Sequence, residues 1–131
     1  MQPLSSSERQ VLMALYRCNG PAGRRQIQYK LPVGCRWADS TVLNFLYRLE
    51  KKGYVKGEKE GNRNLYRPTL TRGKFLEGEA GEMLEILFDG EVTGLLETLV
   101  ASGALDLEKL EELRVWLDGQ ILELGDYDLW E

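Results

Sequence analysis

The hydrophobic period of the chain changes at Gly53, and this change constrains the fold more than any other feature of the sequence. Up to that glycine, the stretch "WADSTVLNFLYRLEKKGYV" (37–55) carries one apolar stripe at the spacing of an amphipathic helix. The stripe consists of Val42, Phe45, Leu46 and Leu49. After Gly53, "YVKGEKE" and "NLYRPTL" are typical of short strands joined by a turn at "GN" (61–62). The sequence therefore predicts a helix, with Asp39 as its N-cap, followed by a β-hairpin.

Two shorter helices are predicted before this one. Ser5, Ser6 or Ser7 can cap the first, whose apolar stripe consists of Val11, Leu12, Leu15 and Tyr16. The breaker "NGPAG" (19–23) separates it from a second helix around 24–31, which buries Ile27. The order helix, helix, helix, strand, turn, strand is that of a winged helix-turn-helix.

Three further helices are predicted in the C-terminal part, from about 72 to 89, over "VTGLLETLVASG" (92–103), and over "LDLEKLEELRVWLDGQILEL" (105–124) with Asp106 as the cap. The fold class is therefore mainly α with a small β-hairpin. Residues 1–71 are predicted to form one winged-helix domain, and 72–131 a separate helical region with a short acidic tail.

The net charge of −4 is divided very unevenly along the chain. Residues 1–75 contain 15 Lys or Arg and 5 Asp or Glu, whereas residues 76–131 contain 2 and 16. This asymmetry suggests that the first half binds a polyanion and that the second half has another task. The alternative is a pair of solvated faces of opposite sign.

Composition argues against several other functions. The chain has no histidine and only two cysteines, Cys18 and Cys35, so it lacks the commonest general base and cannot complete a four-ligand zinc site. An enzyme is the weakest interpretation, and neither a metal nor another cofactor is predicted. The N-terminus lacks the apolar stretch of a signal peptide, and no apolar run approaches the roughly 20 residues of a membrane span, so we expect a cytoplasmic protein.

The helix predicted at 39–50 has the two unlike faces that a helix in the major groove needs. Its polar face includes Asn44, which can contact adenine, and Ser40 and Thr41, whose position at the helix N-terminus favours a phosphate. Lys51 and Lys52 add charge at its far end, and Arg63 beside the hairpin turn can reach the backbone or the minor groove. The predicted DNA-binding residues are Arg24, Arg25, Arg36, Trp37, Ser40, Thr41, Asn44, Arg48, Lys51 and Arg63.

Each of these residues also has a purely structural interpretation. Serine and threonine at a helix start are usually caps, and the arginines are compatible with ordinary surface charge. Trp37 is more typical of a packing residue than of a base-stacking one.

The stretch 37–55 resembles the recognition segment of the penicillinase-repressor family of winged-helix transcriptional repressors, which includes the methicillin-resistance and copper-operon repressors. The family pattern matches Trp37, Thr41, Val42, Arg48, Leu49, Lys52 and Gly53. Its wing motif resembles Gly61, Arg63, Tyr66 and Pro68, with Asn62 as an extra residue. "ILFDGEVTGLLETLVASGALDLEKLEELRVWLD" (86–118) is similar to the family's dimerisation region, so the resemblance covers about residues 5–118.

The resemblance implies a homodimeric, sequence-specific repressor of transcription. Each subunit would place the helix at about 39–50 in the major groove of one half-site of a pseudo-palindromic double-stranded operator. The wing at about 58–66 would lie on the backbone or minor groove. The dimerisation residues implied are Leu84, Leu87, Phe88, Leu95, Leu96, Leu99, Leu110, Leu113 and Leu117. Together with Phe75 and Leu76 they are too many apolar residues for three short helices to bury alone, although an intramolecular core is the alternative.

The chain departs from the family in its signalling motifs. The Asn-Phe bond that a protease cuts in antibiotic-responsive members corresponds here to Thr98-Leu99, and the cysteine-rich motif of copper-responsive members is absent. The sequence therefore identifies no inducer or sensor, and the tail 123–131 is either disordered or docked through Tyr127, Leu129 and Trp130. A winged-helix protein-interaction adaptor and a thiol-redox regulator using Cys18 and Cys35 remain as alternative functions.

Overall fold

The computed structural model describes residues 2–128, and the side chains of residues 2–125. The helices are α1 (Ser6–Arg17), α2 (Arg24–Tyr29), α3 (Asp39–Lys51), α4 (Arg72–Phe88), α5 (Val92–Ala101) and α6 (Leu107–Asp128), and the strands are β1 (Val55–Glu60) and β2 (Arg63–Pro68). The predicted mainly-α fold with one hairpin is confirmed. The chain forms two compact units divided between residues 77 and 78, and the first is a winged helix-turn-helix.

Helix α1 begins with a capping box that resolves the choice among the three serines. The Ser5 hydroxyl accepts the Glu8 backbone N–H at 3.1 Å, while the Ser5 N–H donates to Oε1 of Glu8 at 2.7 Å. The predicted stripe of α1 is buried throughout: Val11, Leu12, Leu15 and Tyr16. Helix α1 thereby forms the centre of the core on which α2 and α3 pack.

Helix α3 turns three residues of its predicted stripe fully into this core: Val42, Leu46 and Leu49. Phe45 is half-buried at the edge of the core. The prediction of Asp39 as N-cap is wrong, because the cap is Ala38 and Asp39 is the first helical residue. The Asp39 carboxylate is bound by side chains of α2, so it does not turn back to cap its own helix.

Strands β1 and β2 form an antiparallel hairpin with Val55 opposite Pro68 and Glu60 opposite Arg63. The two-residue turn is the predicted one, and Gly61 has a φ of +63°. A glycine with positive φ at the first position of such a turn matches the twist of the flanking strands. Tyr66 of β2 also exchanges both backbone hydrogen bonds with Ala22, at 2.8 and 3.0 Å, which joins the hairpin to the segment before α2.

The first turn of α4 belongs to the core of the first unit. Phe75 is buried there, with its ring 5.8 Å from that of Tyr16 and 6.1 Å from that of Tyr54. The Tyr16 hydroxyl donates to the Leu70 carbonyl at 2.8 Å on the same side of the core. The expectation that Phe75 awaits a symmetric partner is therefore wrong, because this ring already has intramolecular neighbours.

The second unit contains the rest of α4 together with α5 and α6. No residue from 76 to 125 is buried, so the side chains described for this unit form no core of their own. Asp106 caps α6 as predicted, since its carboxylate accepts the Lys109 backbone N–H at 3.0 Å. Helix α6 continues through the predicted tail as far as Asp128, and Leu129 and Trp130 lie outside the described residues.

Within residues 2–128, the structure contains no helix long and apolar enough to cross a membrane.

Candidate nucleic-acid interface

The side of α3 that faces away from the core carries six exposed side chains in two rows, and we call this surface the outward face. One row is polar and consists of Ser40, Asn44 and Arg48, and the other consists of Leu43, Tyr47 and Lys51. The guanidinium carbon of Arg48 lies 5.9 Å from the centre of the Phe45 ring, and Nζ of Lys51 lies 5.4 Å from that of Tyr47. These contacts hold both cations against the helix without neutralising them.

Seven of the ten predicted DNA-binding residues are exposed: Arg25, Arg36, Ser40, Asn44, Arg48, Lys51 and Arg63. The other three, Arg24, Trp37 and Thr41, are half-buried. The exposed set supplies five cations and two neutral polar groups within one compact unit. This combination suits backbone phosphates and base edges in a single surface.

Arg24 is committed to a network at the start of α3. Its Nη1 lies 3.0 Å from Oδ1 of Asp39, and it also donates to the side-chain oxygen of Gln28. The Gln28 amide in turn donates to the Trp37 carbonyl at 3.1 Å and to Asp39 at 3.2 Å. The network places a carboxylate at the positive N-terminal end of α3, where a negative charge is favourable, and balances it with Arg24.

Trp37 packs rather than projecting outward. Its ring lies 5.1 Å from that of Phe45, with the two planes tilted by 54°, and it contacts the core from the segment that leads into α3. Aromatic pairs at this separation fix the direction of the chain that carries them. Trp37 thereby orients the entry of α3.

The wing, residues 55–68, brings Arg63 close to α2. Nη2 of Arg63 lies 3.5 Å from the side-chain oxygen of Gln26, across a cleft of about 550 Å³. The cleft is lined by Gly23, Arg24, Arg25, Gln26, Leu43, Arg63, Asn64 and Tyr66. Arg25 and Arg63, which are 38 positions apart in sequence, therefore share one concave surface with Leu43 of the outward face.

Two other wing cations, Lys56 and Arg67, are partly balanced by an acidic side chain. Glu58 lies 4.0 Å from Nζ of Lys56 and 3.8 Å from Nη2 of Arg67. All three side chains are well exposed, so these pairs are weak and screened by salt. Arg63 lies at the turn end of β2, opposite Glu60 in the register of the hairpin.

Glu50 links α3 to the wing, a contact that sequence patterns did not indicate. Its Oε1 accepts the Gly57 backbone N–H at 3.2 Å. A Cβ at residue 57 would lie 3.3 Å from this oxygen and 3.5 Å from Cε1 of Tyr66, so glycine leaves room for the carboxylate. Burial raises the pKa of the Tyr66 hydroxyl, and the negative charge of Glu50 raises it further.

Lys52 is not the outward cation that the sequence suggested. Its Nζ donates to Oε1 of Glu8 at 2.8 Å and to the Pro3 carbonyl at 2.9 Å. The Glu8 side chain is 2% exposed, so the pair lies largely out of water. Burial by itself raises the pKa of the Glu8 carboxyl, but the hydrogen bonds from Lys52 and Ser5 outweigh it and leave the pKa below its ordinary value.

The cysteines show no sign of a reactive thiol pair. Both are half-buried free thiols, and Cys18 donates to the Ala14 carbonyl at 3.4 Å. Burial raises the pKa of the Cys18 thiol, with partial compensation by Lys30, and a raised pKa reduces the fraction of reactive thiolate. Among the described residues, no group of three or more acidic or cysteine side chains is placed to hold a metal ion.

The sequence profile of the penicillinase repressor family matches residues 4–119. The chain belongs to the penicillinase repressor family. The penicillinase repressor of Bacillus licheniformis is 22% identical over 110 residues, which cover 84% of this chain and 85% of that protein. The family consists of transcriptional repressors rather than enzymes, so membership supports a regulatory function.

Two solved structures of regulators are similar to this chain. One is the monomeric form of BlaI from Bacillus licheniformis in complex with the blaP half-operator, with 24% identity, a TM-score of 0.46, and coverage of 55% of this chain and 87% of that one. The other is a probable transcriptional regulator from Pseudomonas aeruginosa, with 22% identity, a TM-score of 0.49, and coverage of 92% and 80%.

Proposed function

We propose that this chain is a homodimeric, sequence-specific DNA-binding repressor of transcription. Each copy inserts α3 into the major groove of one half-site of a pseudo-palindromic operator. The wing, with Arg63 at its tip, contacts the flanking backbone or minor groove. Residues 1–71 bind DNA, and residues 72–131 pair two copies.

The observation that carries this proposal is the contrast between the two sides of α3. Val42, Leu46 and Leu49 are fully buried, while the outward face is solvated and flanked by the cations Arg25 and Arg63. A helix held by one face and free on the other fits the major groove, and the surrounding cations fit the phosphates on its rim. The family profile that matches residues 4–119 is that of the penicillinase repressor, which supports a repressor function.

Within this surface the roles divide by chemistry. Asn44 is neutral, exposed and central on the polar row, so we assign it to adenine recognition. Arg48, Lys51, Arg25 and Arg36 are exposed cations that we assign to phosphates. Arg24 and Trp37 act mainly by orienting the start of α3, because one is bound to Asp39 and the other is packed on Phe45.

The incompletely buried apolar side chains of the second unit support the pairing of two copies. None of the nine predicted dimerisation residues is buried, and Leu87 is 68% exposed. Soluble monomers rarely expose apolar surface on this scale, and a second copy would cover the same patch on both subunits. A dimer also presents two copies of α3 to the two halves of a palindrome.

The test starts from the full chain and a library of randomised duplexes. Repeated selection is expected to enrich a palindromic sequence, and gel-shift titration of that duplex gives the affinity. With 6 to 10 phosphate contacts per complex, affinity should fall by roughly 10³- to 10⁵-fold between about 50 and 200 mM salt. Failure to enrich any sequence, or an affinity indifferent to salt, would overturn the proposal and favour a protein-interaction adaptor.

Paired variants assign the site within the same assay. Asn44→Ala should relax base preference, while Arg63→Ala should weaken all duplexes alike and reduce the magnitude of the log–log salt slope by about 1. Lys74→Ala is the matched control, because Lys74 is an exposed cation of the first unit whose recorded ion pair is with Glu77 at 3.4 Å. Equal behaviour of all three variants would refute the assignment of residues.

A further inference from the structure

Two large apolar side chains lie on the outward face of α3 where solvent-facing helices usually carry polar residues. Leu43 is 42% exposed and Tyr47 is 57% exposed. They are four positions apart and therefore lie on one row, beside the polar row that contains Asn44. The opposite side of α3 already holds the core, so these residues are not needed to attach the helix.

The surroundings of this apolar row indicate what it contacts. Leu43 lines the cleft that also contains Arg25 and Arg63, and the Tyr47 ring is approached by Nζ of Lys51 at 5.4 Å. An apolar strip bordered by cations is a poor match for an apolar protein surface. It is complementary to a ligand whose apolar groups have negative charges on either side.

The major groove of DNA has this character at A·T pairs. The C5-methyl group of thymine projects into the groove between the phosphate backbones, and apolar side chains discriminate thymine by contacting it. Adenine in the same pair offers the donor and acceptor that an asparagine contacts with two hydrogen bonds. The polar row and the apolar row of α3 are therefore complementary to the two partners of A·T pairs.

We propose that Leu43 and Tyr47 are specificity-determining residues that read thymine methyl groups in each half-site. This inference rests on the proposed function, because it assumes that α3 enters the major groove. Leu43 reads a methyl on the wing side of the helix, and Tyr47 reads one nearer Lys51. The half-site therefore contains thymines whose methyl groups, and not only their hydrogen-bonding edges, contribute to affinity.

The experiment replaces each thymine of the selected duplex by deoxyuridine, which removes the methyl group and leaves base pairing unchanged. Unmodified full-length protein should bind about fourfold more weakly for each contacted methyl that is lost, because the complex then buries one apolar carbon fewer. Deoxyuridine at thymines outside the contact should have no effect. If no single replacement weakens binding, the inference is wrong although the duplex itself is bound.

Protein variants then assign each methyl to a side chain. Leu43→Ala should weaken binding to the normal duplex by a similar factor. The affinity of this variant should no longer change when deoxyuridine replaces thymine at one position. Tyr47→Ser should do the same at a different position. Val33→Ala removes a fully exposed apolar group from the loop before α3 and should retain the full response to both replacements. If both α3 variants keep the full response, the assignment fails.

The two proposals fail in distinguishable ways. A chain that enriches no duplex at all refutes the repressor function and this inference with it. A chain that binds a palindrome with the expected salt dependence, but is indifferent to every thymine methyl, refutes this inference alone. The measurements on unmodified protein remain decisive even if one of the variants unfolds.

Discussion

The two units of this protein differ in how much of their apolar surface they bury by themselves. The first encloses a core of helices and hairpin, with Leu12, Ile27 and Leu46 completely removed from solvent. The second has no buried residue between 78 and 125 although its helices are rich in leucine. Their charges are opposed as well, since residues 1–77 contain 15 Lys or Arg and 6 Asp or Glu, whereas residues 78–131 contain 2 and 15. The first unit is thus folded by its own sequence, whereas we infer that the second is completed by a partner.

The largest effect is expected from breaking the pairing surface. The sequence of α6 carries one apolar stripe, which consists of Leu107, Leu110, Leu113, Leu117 and Ile121. The double variant Leu110→Glu and Leu117→Glu places two charges on this stripe and should convert a dimer into a monomer of 15.0 kDa. Loss of the second half-site contact removes the gain from bivalent binding, so affinity for the full operator should fall by about 100-fold or more. Light scattering after size exclusion gives the mass, and gel shift gives the affinity.

Val115→Glu is the matched control, because Val115 is 70% exposed on the same helix but off the stripe. It should remain dimeric. A wild-type protein that is itself monomeric at micromolar concentration would contradict the comparison between the units.

The second effect is on the stability of the first unit. Leu46→Ala leaves a cavity in its core and should lower the free energy of unfolding by about 3 kcal/mol. Ile86→Ala, at a side chain that is 67% exposed, should leave the unfolding of this unit nearly unchanged. Urea unfolding followed by Trp37 fluorescence, with Trp116 and Trp130 replaced by phenylalanine, reports on the first unit selectively. Similar losses for both variants would show that the units fold as one.

The third effect is a dependence of stability on pH. Because the Glu8 pKa is lower in the folded state than its ordinary value of 4.5, the carboxylate stabilises the fold above that pH and the stabilisation disappears as the pH falls through the folded pKa. Glu8→Gln keeps the capping box but loses the charge, and should cost about 2 kcal/mol at pH 7. The difference in unfolding free energy from wild type should shrink below pH 4.5. A difference that is constant from pH 3 to 7 would refute the ion pair with Lys52.

The smallest effect concerns the link between α3 and the wing. Gly57→Ala introduces a Cβ 3.3 Å from Oε1 of Glu50, which a flexible side chain can avoid by moving. The cost should be below about 1 kcal/mol, and exchange of the residue 57 amide proton should accelerate because its acceptor has shifted. Glu50→Ala should accelerate the same exchange without adding any atom to the wing. Unchanged exchange in both variants would mean that the hydrogen bond does not protect this amide.

Local patterns were sufficient for most of the first unit. The α3 stripe, the α1 stripe and the turn at Gly61 followed from spacing and turn chemistry, because each depends on neighbours within a few positions. The cap of α6 at Asp106 followed for the same reason. The outward position of Asn44 and Arg48 also followed, since residues off an apolar stripe must face away from the core.

Contacts between distant parts of the chain could not be predicted from the sequence. Glu8 and Lys52 are 44 positions apart, and no periodicity links a first-turn acid to the end of another helix. Asp39 was expected to cap α3, but Arg24 and Gln28 of α2 bind its carboxylate. Phe75 was assigned to a partner because its helix was considered in isolation. Each case depends on a tertiary neighbour that propensities do not contain.

The hydrogen bond from the Gly57 N–H to the Glu50 carboxylate links the hairpin to α3. A duplex that contacts both elements must have a groove width and a flanking-strand path that fit the distance between α3 and the hairpin. Under the proposed function, sequences that already have this shape need less distortion and should bind better even at base pairs that no side chain reaches. In the proposed function, one hydrogen bond between a side chain of α3 and the backbone of the wing would thereby contribute to a preference for particular DNA shapes.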